Sequence, residues 1–141
     1  MYDPRILIGK PLKDDLAIEI MADNDLEIRY EIDLLHENMD DIYWIPDKNN
    51  GCLWQANQDQ LIVVAFVYLR ELEGYNKFHS GIDGIKIGDK ELLGWGLPTK
   101  SGSYKGQSWV RYDNEKLSTH YSWDSIGPRM ITFTHPSRIP K

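Results

Sequence analysis

A single cysteine, Cys52, stands in the 141-residue chain, and without a second one no intramolecular disulfide can form. A reducing, cytoplasmic setting is the expectation that follows. The longest apolar run, Leu61 to Leu69, is far shorter than the roughly 20 residues that a membrane-crossing helix takes. Met1 to Arg5 show no basic stretch leading into an apolar one, so neither a membrane span nor an export signal is expected.

Signatures of chemistry are missing as well. The chain has no Gly-x-x-x-x-Gly-Lys-Ser/Thr and no Gly-x-Ser-x-Gly, and its glycines match no dinucleotide fingerprint. The four histidines, His36, His79, His120 and His135, lack the close spacing of metal ligands, and the lone cysteine offers them no partner. No metal and no cofactor is expected. Adjacent carboxylates such as Asp14/Asp15 and Asp40/Asp41 would leave a strand on opposite faces, which suits turns and surfaces better than paired catalysis.

What is present is alternation. Leu26-Glu27-Ile28-Arg29-Tyr30-Glu31-Ile32-Asp33-Leu34 switches between apolar and charged residues at every step, the period of a strand with one wet face. Leu16, Ile18 and Ile20 repeat it, and Ala22 to Asp25 supply turn formers, so 16–21 and 26–34 read as a hairpin. A strand from Ile42 is expected to stop at Pro46 and to turn through Asp47 to Gly51 into Cys52 to Gln55. The β-branched and aromatic run 61–69 reads as a central strand covered on both faces. Further hairpins are expected at 85–87 with 91–93 and at 108–112 with 117–123, the latter across a loop of Asp113 to Lys116, and a last strand at 129–134. The glycine-rich stretch Gly94 to Gln107 reads as an exposed loop able to act as a lid. The expected architecture is one domain over 1–141, mainly β: an antiparallel sandwich or barrel of about nine short hairpin-linked strands with at most one or two short helical turns.

Two surfaces are candidates for function. Residues 1–60 hold 14 Asp/Glu against 5 Lys/Arg, whereas residues 61–141 hold 8 against 11. An acidic surface of Glu27, Glu31, Asp33, Asp40 and Asp41 would suit a protein partner with a basic surface. The other candidate is a hairpin face. Pairing Tyr112 with Leu117 and Trp109 with His120 gathers Trp109, Arg111, Ser118, His120 and Ser122 on one side, where an indole, a guanidinium and an imidazole suit a partner or a small anionic or sugar ligand. An ordinary solvated sheet face is the competing reading of the same residues. Basic and aromatic residues interleave from Trp95 to Arg138, but the acidic total and a pI near 5.1 weigh against nucleic acid.

These features favour a non-enzymatic binding protein that recognises a macromolecular partner, such as a small acidic inhibitor or immunity-type protein blocking a basic enzyme. The alternatives are a nucleotide- or sugar-binding β-domain using the aromatic, Arg and His face, and an enzyme with His120 or His135 as base and Arg111 as charge stabiliser.

Overall fold

The run Ile62–Tyr68 forms β4, and its burial explains its place: every residue except Phe66 is sealed from solvent. In the computed structural model, which describes residues 2–31, 42–79 and 81–138, β4 sits in the interior of one eight-stranded antiparallel sheet. The other strands are β1 (Arg29–Glu31), β2 (Ile42–Asp47), β3 (Cys52–Ala56), β5 (Lys100–Tyr104), β6 (Gln107–Asp113), β7 (Ser118–Trp123) and β8 (Pro128–Thr134). Their spatial order is β1-β2-β3-β4-β8-β7-β6-β5. Two four-stranded meanders thus meet through their last strands, and β1 and β5 are the two ends of an unclosed sheet.

Register divides the side chains between the faces. One face carries the buried rows Ile45, Trp54, Ala65, Phe133, Thr119, Tyr112 and Asp47, Cys52, Val67, Ile131, Tyr121, Val110, each running across six strands. Leu7, Leu12, Ala17, Ile20, Phe78, Ile82 and Leu92 join the same core, so among the described residues the layer over this face of the sheet is supplied by helical and loop segments. Polar anchors fix that layer. Trp54 Nε1 donates to Pro4 O at 2.9 Å, Tyr121 Oη donates to Gly88 O at 2.9 Å, and Leu92 N donates to Tyr112 Oη at 3.2 Å.

Several local expectations change. Residues 16–21 are not a strand but part of α1 (Asp15–Asp23), because Asp14 caps its N-terminus by accepting from Leu16 N and the buried positions are Ala17 and Ile20, three apart. Ile18, which completed the apparent alternation, is half exposed. β2 continues through Pro46 to Asp47, because β1 pairs only with Ile42–Trp44 and the prolyl nitrogen needs no partner on that side. The 85–93 hairpin reduces to a single bridge, Ile87 to Leu92. Within 26–34, the described strand is Arg29–Glu31, exposed at all three residues, while 32–34 lie outside the described residues. The second half of the expected Gly94 to Gln107 loop is not a loop but holds β5, paired with β6.

Among the described residues, no helix is long and apolar enough to cross a membrane.

Candidate functional site

The β6–β7 hairpin turns one step later than the sequence suggests. Asn114 Oδ1 accepts from Lys116 N at 2.8 Å and Leu117 N at 2.9 Å, and Asn114 N donates to Leu117 O, so the loop is 114–117 and Asp113 stays in the ladder. Arg111 therefore lies opposite His120 and Trp109 opposite Ser122, in place of the expected pairs Arg111 with Ser118 and Trp109 with His120. The partner moves by two residues, which preserves the face. Trp109, Arg111, Ser118, His120 and Ser122 all project from the side opposite the core, joined there by Asp113.

Geometry around Trp109 depends on Gly102. A Cβ at Gly102 would stand 2.8 Å from Trp109 Cζ2 and 2.9 Å from Cε2, so the indole covers the bare backbone of β5. On its other side Trp109 stacks with His120, centroids 5.2 Å apart and planes 22° from parallel. The imidazole makes no hydrogen bond among the described residues. Burial, and then the adjacent Arg111 charge, lowers the His120 pKa below its ordinary 6.5, which keeps the ring neutral near pH 7.

Arg111 is held in place rather than free. Its Nε and Nη2 reach Asp113 Oδ2 at 3.1 and 3.0 Å, and Ser118 Oγ donates to Asp113 Oδ1 at 2.6 Å. Ser118 and Ser122 are themselves buried among these larger neighbours. Asp113 is the residue sequence reasoning missed, although the Asp-Asn pair at 113–114 is a turn signal that marks where the loop starts. Across from Arg111 sits exposed Lys100, and beyond Trp109 lies exposed Tyr104, whose ring is approached by Lys105 Nζ at 5.3 Å.

His135 belongs elsewhere. It follows β8, its Nδ1 accepts from Ser137 N at 3.2 Å and lies 2.8 Å from Ser137 Oγ, and it lines a separate depression with Arg5, Gly9 and Lys116. His120 and His135 do not form one centre. Of the acidic candidates, Glu27 and Glu31 are exposed near and on β1, at the opposite end of the sheet, and Glu27 lines a cleft with Asp25, Arg29 and Lys48. Asp33, Asp40 and Asp41 lie outside the described residues. Among the described residues, no group of three or more His, Cys, Asp or Glu is placed to hold a metal ion.

No family model, no curated protein and no solved structure matches this chain.

Proposed function

We propose that the protein is a non-enzymatic recognition protein that holds a protein partner against the Trp109 end of its sheet. The observation that supports this reading is the indole laid over Gly102 and stacked on a neutral His120 whose ring nitrogens have no hydrogen-bond partner among the described residues. A large ring held by its neighbours contributes contact area at little cost in side-chain freedom, and aromatic residues with Arg dominate interface energetics. Exposed Lys100, Tyr104 and Lys105 supply a polar margin around it.

Capture from an extract of the native host, at graded ionic strength, tests this. The expected result is a protein retained by the wild type at low salt and lost with Trp109→Ala. Equal retention by both sinks the reading. A narrower form, an inhibitor that covers a basic enzyme with its acidic surface, attaches to Glu27 and Glu31 instead; only in that case would Glu27→Lys combined with Glu31→Lys abolish capture.

A second reading, a small anionic, nucleotide or sugar ligand, is favoured by the cross-strand pairing of Arg111 with His120 beside the indole. Thermal-shift panels separate the two readings, since a ligand at 100 times its dissociation constant stabilises by about 2.7 kcal/mol. A flat response across such panels removes it.

A further inference from the structure

We infer that β5 is an open edge built to accept an extended acidic polypeptide as a ninth strand. This rests on the reading above, that the Trp109 end of the sheet recognises a protein, and names the chemistry and backbone geometry of that partner.

β5 is the last strand of the sheet and every one of its five residues is exposed. Its hairpin to β6 turns through two residues, Lys105 and Gly106, at φ of 49° and 80°, both in the left-handed region as a two-residue turn of the primed type requires. Such a turn makes Tyr104 and Gln107 a hydrogen-bonded pair, and alternation then commits the amides of Gly102 and Lys100 to β6 as well. Ser101 and Ser103 are left with N–H and C=O groups directed outward. A strand added along β5 would meet those donors and acceptors.

Charge selects the occupant. From Leu92 to Tyr112 the chain contains no carboxylate side chain and three cations, Lys100, Lys105 and Arg111. Arg111 is neutralised by Asp113, so Lys100 and Lys105 set the field along the edge. Two copies paired through β5 would bring four lysines onto one short ribbon, a repulsion that natural edges use to prevent self-association. An acidic strand meets the opposite condition, because the same lysines attract it. Gly102 adds a position for a side chain. With no Cβ of its own, it leaves the space facing an incoming residue bounded by the Trp109 indole, so an apolar side chain placed opposite Gly102 would lie against the ring.

The probes are an acetylated alternating Glu–Val octapeptide and its Lys–Val counterpart, titrated into the full chain labelled for amide NMR. The expected result is perturbation and slowed exchange of the Ser101 and Ser103 amides with the acidic peptide only. Ser103→Pro, which deletes an outward donor without touching the β6 ladder, should abolish the effect. Lys100→Glu combined with Lys105→Glu should weaken the acidic peptide about tenfold or more and admit the basic one. No binding, equal binding of both peptides, or perturbations centred away from β5 would each overturn the proposal, as would concentration-dependent dimerisation that Ser103→Pro removes. The two readings fail separately. Trp109-dependent capture from extract without acidic-peptide binding leaves recognition standing and ends strand addition, whereas peptide binding without Trp109-dependent capture does the reverse.

Discussion

Trp44 and Trp109 occupy equivalent positions about a pseudo-two-fold axis through the Phe66–Thr132 pair, the middle of the five pairs that join β4 to β8. Each stands on the second strand of its meander, opposite Gln55 and Ser122 respectively, and each stacks on a ring of the same face, Phe66 at 6.3 Å and His120 at 5.2 Å. On the buried face, the same operation relates Trp54 to Tyr121. The two indoles nonetheless have different settings. Trp109 leans over a glycine, while Trp44 packs among larger side chains and its buried Nε1 has no hydrogen-bond partner among the described residues.

From that difference comes a prediction about stability. Trp44→Phe removes an unsatisfied buried donor along with some packing, so the terms oppose and the change should stay within about 1 kcal/mol. Trp54→Phe removes a bonded donor, leaves Pro4 O unpaired and opens space in a sealed core, for an expected loss of about 2–4 kcal/mol. Urea unfolding of the two variants compares them directly. A larger loss for Trp44→Phe would contradict this account.

Gly102→Ala tests the geometry of the recognition surface. A methyl group 2.8 Å from an indole carbon forces the ring to move, and overpacking of this kind costs about 1–3 kcal/mol. The specific signature is local. Trp109 fluorescence and the His120 ring proton shifts should both change, because the stack that joins them is displaced. Unchanged spectra would mean that the indole does not rest on β5.

Acidification should destabilise the fold through His120. Its native pKa lies below the ordinary 6.5, so between the two values the unfolded chain binds the proton more readily than the folded one. Stability therefore rises with pH across that window and falls as pH drops through 6.5, until the native ring also protonates. His120→Phe should flatten this part of the stability profile. A His120 titration midpoint above 6.5 by NMR would reverse the sign and refute the prediction.

How far the sequence can be read depends on whether each segment has two unlike faces. β6 alternates between a sealed and a half-buried face, and β7, although Ser118 and Ser122 are buried as well, alternates core residues with polar ones, so the partition into Val110, Tyr112, Thr119, Tyr121 against Trp109, Arg111, His120 survives even a register error of two residues. β5 has no such contrast. Exposed throughout, Lys100 to Tyr104 carries no apolar period, and its only local sign is the Lys105-Gly106 turn. α1 failed for the opposite reason: Leu16, Ile18 and Ile20 fit a period of two as readily as Ala17 and Ile20 fit a helix, and the deciding feature was the Asp14 cap. The contact between Gly102 and Trp109 is a tertiary consequence of β5 pairing, invisible until that strand is placed.

The core end of β2 provides the last prediction. Asp47, 2% exposed, accepts from the Tyr2 hydroxyl, from Asn50 N at 3.2 Å and from Asn50 Nδ2 at 2.8 Å, while Asn50 Nδ2 also reaches Asn24 Oδ1 at 3.1 Å beyond the end of α1. One carboxylate thus ties the N-terminal segment, the β2–β3 turn and α1 together. Beside it, burial and the Asp47 charge push the Cys52 thiol up to about 12, so the native protein holds almost no thiolate at neutral pH. Alkylation of Cys52 should therefore proceed only through opening of the structure. Asp47→Ala leaves buried donors unpaired at a cost of about 1–3 kcal/mol. Each 1–2 kcal/mol lost raises the open population about 5- to 30-fold, and the iodoacetamide rate should rise with it. Wild-type Cys52 reacting as fast as a free thiol in folded conditions would show that this end of the sheet is not sealed.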